Sequence, residues 1–379
     1  MDHLEELCHA AAQVSEELMP GVASHDSELI RAVERMSEVY TLERSEMQGT
    51  QGDPSFLAAR LRFFLPRDTP KLWPILDDLQ ARLTLPSSPT WRVLDLGSGL
   101  GTTSLGLAMH PSAQRVEGGL SITAVESDRA CAPIHQALLK KLSDRVPPCE
   151  LRSVLTSLPR LPSLLRRERF DFILVGLCLN ELGLTTEGAA DWLTGLTKML
   201  SEDGFLIVIE PALRTTTRAL QEVRDALAEA AKVSIASPCM HSRACPMLAK
   251  PRDWCHAELP QELPASLRPI AKEAGLRDHR LTFSYLCLQG AEHHRVHTTG
   301  EYRLVSSLLG SKGKVEAVVC GEAGYLRLMR LDRHCSHANS ALDDLVRGGP
   351  FITSAAPDER GRLRISSHDE VKSPLAVQG

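Results

Sequence analysis

The chain has 379 residues, of which 43% are hydrophobic and 24% charged, and a formal net charge of −5. That length calls for two or three domains, or one large domain with an appendage, and the composition is that of an ordinary globular protein. No apolar run approaches the roughly 18 residues of a membrane span, and the net charge gives no overall pull toward nucleic acid, so any RNA contact has to come from a local basic face.

The N-terminus, MDHLEELCHAAAQVSEEL, is acidic and has neither a basic-then-apolar signal pattern nor an Arg-rich transit pattern, so a cytoplasmic location is expected. In that compartment ten cysteines read as thiols or metal ligands, not as a disulfide framework. Residues 1–85 are predicted to be a helical region. DSELIRAVERMSEVYTLERSE and PSFLAARLRFFLPRDTPKLWPILDDLQARL carry apolar residues three and four apart, interrupted by prolines.

From residue 86 to 235 strands and helices alternate. WRVLDLGSGLG, SITAVESD, FDFILVGLCLNEL and EDGFLIVIEPA read as strands, and TTSLGLAMH, RACAPIHQALLKKL, AADWLTGLTKML and TTTRALQEVRDALAEAAKV as the helices that follow them. Recurring βα units predict an α/β, Rossmann-like, doubly wound sheet. Residues 236–340 form a Cys-rich and strand-rich region (HRLTFSYLCLQ, EYRLVSSLL, KVEAVVCGEAGYLRLMRL) ending in a helical SHANSALDDLVRGG. Residues 341–379 read as a polar C-terminal tail, of which the last part, 356–379, is expected to be partly frayed.

The first strand runs into Asp95, Gly97, Gly99 and Gly101. A dinucleotide turn is spaced G-x-G-x-x-G and seats a pyrophosphate on the helix start. Here the spacing is G-x-G-x-G with an acid two residues ahead, the pattern associated with S-adenosylmethionine (SAM) methyltransferases. SAM has no phosphate, and its ammonium favours a carboxylate such as Asp95. Glu126, at the end of the second strand, is placed to accept from both ribose hydroxyls. Asn180 follows the strand FDFILVG at the carboxyl edge, where such sheets bind ligands. Neither an Asn/Asp-Pro-Pro-aromatic motif nor a Pro-Cys nucleophile follows that strand, so no catalytic residue is named, and Cys178 reads as a buried apolar thiol.

SPCMHSRACPMLAKPRDWCHAELP, residues 237–260, gathers Cys239, Cys245 and Cys255 with His241 and His256. The gaps are wider than the C-x2-4-C pairs of a zinc knuckle. Thiolates suit zinc or an iron–sulfur cluster, and a cluster takes four. Cys287, Cys320, Cys335 and the two histidines all remain open as the fourth ligand, with Cys320 well placed at a strand end.

VLDLGSGLGT, LCLNELG, IVIEPALRTTTRALQEVRDAL, the cysteine stretch, FSYLCL and VVCGEAGYLRL, in that order, resemble one family. It is that of the methyltransferase-like assembly factors of the small ribosomal subunit: the mitochondrial small-subunit protein twenty-two family and its bacterial relatives. The resemblance spans roughly residues 55–335 and is most specific at Cys245-Pro246 and Trp254-Cys255-His256. The family's first cysteine is typically followed by Pro-His, where this chain has Met240-His241. The resemblance implies a SAM-type Rossmann domain and contact with small-subunit rRNA. It also implies a 4Fe–4S cluster on Cys239, Cys245, Cys255 and Cys320, in a monomer with no membrane association. An active SAM-dependent methyltransferase on rRNA or a small molecule, with structural zinc, is the alternative. Candidate RNA contacts are Arg303, Lys312, Lys314, Arg327, Arg330 and Arg333, with Arg60, Arg62 and Arg67 nearer the N-terminus.

Overall fold

A computed structural model of the chain describes residues 2–41, 52–293 and 298–375. The end of the predicted second helical run, residues 42–46, lies outside the described residues. Helices α1 (Asp2–Leu18), α2 (Asp26–Thr41), α3 (Pro54–Ala59), α4 (Leu65–Asp68) and α5 (Trp73–Arg82) build the N-terminal layer. Asp53 caps α3, its carboxylate accepting from the N–H groups of Ser55 (2.8 Å) and Phe56 (3.2 Å), with Pro54 in the first turn where its missing N–H costs nothing. The helix continues through a π-helical turn, Arg60–Phe64, a widening that is frequent at functional sites.

The next segment alternates as predicted, with two further strands, β3 and β6, that the sequence pattern did not show: β1 (Trp91–Leu96), α6 (Thr102–Ala108), β2 (Leu120–Glu126), α7 (Cys131–Lys141), β3 (Cys149–Leu155), β4 (Phe170–Gly176), α8 (Thr186–Thr197), β5 (Leu200–Pro211), α9 (Arg214–Ala230) and β6 (Val233–Ser237). After the cysteine stretch come β7 (Ala257–Pro260), α10 (Arg268–Glu273) and β8 (Arg280–Gly290). The first sheet has eight strands in the order β3-β2-β1-β4-β5-β8-β6, with β7 on β8. Strands β1 to β5 pair in parallel, and β8 enters antiparallel between β5 and β6. Chain order reverses between β1 and β4, which opens a crevice at their carboxyl ends.

Alternate side chains of the central strands feed two cores. Phe172, Leu174, Phe205 and Ile207 pack with α1, α5, α6 and α7. Ile173, Val175, Leu206 and Val208 pack with α8 and α9. Burying one such side chain contributes roughly 1.5–3 kcal/mol. A third cluster joins α2, through Leu29, Val33 and Met36, to Phe63 and to Ala271 of α10, so the segment after the cysteines closes back on the N-terminal layer.

The second sheet contains β9 (Glu301–Leu304), β10 (Leu309–Ser311), β11 (Lys314–Gly321), β12 (Gly324–Leu331), β13 (Pro350–Thr353), β14 (Arg362–Ile365) and β15 (Val371–Lys372). Its order is β14-β12-β11-β9-β13-β15, with β10 on β11. Two of these strands, β14 and β15, come from the stretch expected to fray. Leu363, Ile365 and Val371 are buried in the core of this sheet, so the tail is ordered by its inward-facing residues. The predicted helix near 336–349 is a 3-10 segment, His337–Asp344.

A buried ion network ties the two sheets to α5. Asp78 accepts from Arg303 of β9 (2.9 Å) and from Arg82 (2.7 Å), and the hydroxyl of Ser237 donates to the same carboxylate. Arg82 also reaches Glu301 (3.4 Å), while Arg303 donates to the carbonyls of Pro238 (2.6 Å) and Gly348 (2.5 Å). Burial pushes the Asp78 carboxyl up, but Arg303 and Arg82 outweigh it and hold the group well below the usual carboxylate range. Among the described residues no helix is long and apolar enough to cross a membrane.

Candidate functional site

The first candidate site lies at the crevice. Gly97, Gly99 and Gly101 have φ of 64°, 52° and 91°, a conformation that disfavours side chains. The space is closed as well. A Cβ on Gly97 would stand 2.8 Å from Cys178 Sγ, one on Gly99 2.9 Å from the Arg60 guanidinium, and one on Gly101 2.3 Å from the His135 ring.

Asp95 is fully buried beneath this turn. It accepts from Thr103 Oγ1 (2.9 Å) and from the N–H of Ser104 (3.2 Å) in the first turn of α6. Burial pushes its carboxyl up to about 6, the two partners of α6 opposing only in part. Glu126 accepts from the N–H of Gly99 through Oε2 (2.8 Å) and from those of Ser127 (2.7 Å) and Asp128 (2.9 Å) through Oε1. It therefore braces the glycine turn against β2. Asn180 donates its side-chain amide to Glu210, and its backbone N–H to the same carboxylate (3.3 Å). The Cys178 thiol donates to Leu96 O (3.3 Å), and burial holds it protonated.

Sequence reasoning missed part of this edge. Arg60 comes from the π-helical turn, 3.8 Å from Asp128 and 3.8 Å from Cys131 Sγ, so the residue expected to contact RNA instead stands over the glycine turn. His135 of α7 is buried, bonds Ser104 Oγ (3.1 Å), and is lowered to about 4 by burial, so it is neutral. No short-range pattern links positions 60, 95, 126 and 135; only the sheet brings them together.

The second candidate site is a cavity of about 60 Å³ between α9, β8 and the second sheet. Cys239, Cys245, Cys255 and Cys320 all line it, as do His241 and His256. Cys239 follows β6. Cys245 precedes the short 3-10 turn Pro246–Ala249, with its N–H on Asp225 (2.8 and 3.0 Å). Cys255 precedes β7, and Cys320 ends β11. Burial, and then the other thiols of the group, push Cys245 up to about 12 and Cys320 higher still; burial and Cys239 push Cys255 up to about 11. In the absence of metal these three are neutral thiols.

Cys287 and Cys335 are not in this group. The first is fully buried in β8 and the second is exposed. His241 holds Arg243 O through Nδ1 (3.1 Å), and His256 stacks on Trp254 at 5.9 Å; each is lowered to about 4, chiefly by burial. Among the described residues no three His, Cys, Asp or Glu side chains stand close enough to hold one metal ion. The expected metal-binding extension is therefore not found as a metal site, and what the fold provides is four thiols lining one cavity. The wall of α9 adds buried polar atoms without partners: Thr217 Oγ1, both amide atoms of Gln221, and Arg224 Nε.

Two arginines expected at an RNA surface are interior. Arg303 belongs to the ion network, and Arg330 is buried against Asn339 (3.2 Å) and Asp343 (2.6 Å). Arg327 is exposed on β12 beside Arg362 of β14, in register with it.

Residues 74–340, more than half of the chain, match the family described as mitochondrial small ribosomal subunit Rsm22. The chain belongs to this family. The sheet order, parallel from β3 to β5 with one antiparallel strand entering beside β5, is an α/β, Rossmann-like arrangement. Among solved structures the chain is similar to a precorrin-6y C5,15-methyltransferase from Geobacter metallireducens, at 13% identity over 57% of this chain and 87% of that one, with a TM-score of 0.34. It is also similar to a ribosomal protein L11 methylase from Lactobacillus delbrueckii subsp. bulgaricus, at 15% identity over 58% and 78%, with a TM-score of 0.31. A third is a SAM-dependent methyltransferase described as putative in its own name, from Streptococcus mutans, at 16% identity over 56% and 49%, with a TM-score of 0.33. Among curated proteins the chain has no match.

Proposed function

We propose that this chain is a SAM-binding, methyltransferase-like assembly factor of the small ribosomal subunit, with an iron–sulfur cluster on Cys239, Cys245, Cys255 and Cys320. The observation that carries the proposal is the meeting of four thiols around one cavity, in a chain of this family. An all-sulfur donor set suits soft metals, and thiols that ring a space suit a cluster bound at its corners better than one ion at the centre. When bound, such a cluster supplies four thiolate bonds joining the 239–255 loop to β11, and so contributes folding free energy. The chain's own part is to bury the thiols and to release their protons on loading.

At the crevice, Asp95 is the partner for the cofactor's ammonium, and Glu126 Oε2, which accepts from Gly99 while Oε1 serves Ser127 and Asp128, keeps a lone pair for a ribose hydroxyl. Neither His135 nor Cys178 is placed as a base or nucleophile: the one packs on Gly101 and bonds Ser104, the other bonds Leu96 O. This supports binding as the primary role and leaves methyl transfer without an assigned residue. For rRNA, the outward face of β12 and β14 offers Tyr325, Arg327, Arg362 and Arg364; Asp358 holds the last two at 2.9 and 3.5 Å.

The test is anaerobic purification with iron and sulfide analysis, followed by cosedimentation with small ribosomal subunits. About four iron and four sulfide per chain, with cosedimentation, is the expected result. Zinc alone would replace the cluster with a structural ion, and failure to cosediment would remove the ribosomal role.

A further inference from the structure

Helix α9 runs along the thiol cavity, and Thr217, Gln221 and Arg224 are spaced so that one face carries all three. Their exposures are 1%, 8% and 2%, so none is a surface residue turned inward by chance. Buried polar atoms are almost always hydrogen-bonded, and an orphan calls for an explanation. Here the orphans cluster: Thr217 Oγ1, Gln221 Oε1 and Nε2, and Arg224 Nε all lack a partner, on the wall of one cavity. The rest of the Arg224 guanidinium is used, by Asp225 (2.7 Å) and by the carbonyls of His241 and Arg243. That fixes the side chain and leaves Nε as its one unpaired nitrogen.

We propose that Thr217, Gln221 and Arg224 are the hydrogen-bond donors to the sulfurs of the group held by the four cysteines, with Gln221 tuning its reduction potential. This rests on the cluster reading above. The chemistry suits the donors present: a hydroxyl, an amide NH2 and a guanidinium N–H can each donate to sulfide or thiolate sulfur. Thiolate ligation makes a cluster anionic, and a gained electron makes it more so. Donors therefore stabilise the reduced form more than the oxidised one and raise the potential. Thr217, Gln221 and Arg224 act as positioning residues here, since none of them ligates.

The experiment is a redox titration of the anaerobically purified full chain, followed by absorption and electron paramagnetic resonance, on the wild type and on Gln221→Leu, Thr217→Val and Thr217→Ser. Iron and sulfide are counted in every sample. Gln221→Leu with wild-type iron content and a reduction equilibrium shifted about tenfold toward the oxidised form, about 59 mV for one electron, is the expected result. Thr217→Val shifts the same way by less, and Thr217→Ser, which keeps the hydroxyl, holds the wild-type value. A fully loaded Gln221→Leu at the wild-type potential overturns the assignment of Gln221. Should that variant fail to load, equal potentials for Thr217→Val and the wild type overturn the donor row. A wild type without iron and sulfide overturns the cluster reading itself, a different failure from an unshifted potential.

Discussion

The crevice and the thiol cavity treat their polar groups in opposite ways. At the crevice the polar groups are satisfied by the chain: Asp95 accepts from Thr103 and Ser104, Glu126 from three backbone N–H groups, and Asn180 donates to Glu210. At the cavity, three side chains of α9 bury polar atoms with no partner, and four half-buried thiols line the same space. Burying the polar atoms unpaired is costly unless something completes them. The crevice is self-consistent when empty and needs a cofactor only for binding. The cavity keeps unpaired polar atoms that a group of the proposed kind would complete.

The sharpest way to break that contrast is at the cysteines. Cys320→Ser should lower iron content well below the wild type and open the 239–255 loop to limited proteolysis, whereas Cys335→Ser, at an exposed thiol outside the ring, should change neither. Equal iron content in the two variants would mean that the cavity is not completed as described.

Next in size is the joint between the regions. Removing one partner of a buried pair costs about 3–5 kcal/mol, because the other charge stays behind. Arg303→Met should therefore destabilise the chain by about that much in urea unfolding, with both sheets lost in one transition. A second transition would show that they are independent.

The pH dependence of the crevice follows from Asp95. Its folded-state value is raised to about 6 from an unfolded value near 3.9, so the carboxyl favours the folded state when protonated. The sign is that stability falls as pH rises from about 4 to about 6 and then levels, by on the order of 2 kcal/mol more than in Asp95→Asn. Binding of a cationic ammonium has the opposite preference. SAM affinity, measured by calorimetry, should weaken roughly tenfold per pH unit below about 6 in the wild type and lose most of that slope in Asp95→Asn. The smallest effect is at the surface: Arg327→Glu should weaken small-subunit binding and flatten its salt dependence by roughly 0.7 in log–log slope per lost phosphate contact on a single strand. SAM affinity should be unchanged.

The two sites also differ in how far they could be read in advance. The turn from Asp95 to Gly101 is local, and a local constraint of positive φ leaves a local trace in the sequence. Arg60 and His135 leave none, because they reach the turn only when α3 and α7 pack. The thiol group is non-local: spacing alone kept Cys287, Cys335 and two histidines in contention with Cys320, and family resemblance, not geometry, pointed to it. Strand β3 was missed because CELRSVL lies at the sheet edge with polar residues on its exposed positions. Strand β6 was given no element of its own, and its first residue, Val233, was read into a helix that in fact stops at Ala231, whose φ is 50°. Strands β14 and β15 are too short and too charged to stand out, since only Leu363, Ile365 and Val371 turn inward.

The network around Asp78 has a consequence for how such a chain can change over time. Its members sit on α5, on β6 and on β9: the charges come from α5 and β9, and β6 adds the Ser237 hydroxyl, so the network is complete only when the three come together. Arg303 also lines the thiol cavity, so the same residue answers to both. A fragment cut at either boundary would inherit an unanswered charge, and a segment exchanged from a distant relative would bring the wrong one. The region of the glycine turn and the one that gathers the thiols are thus not interchangeable modules, because Arg303 and Asp78 join them through one buried network.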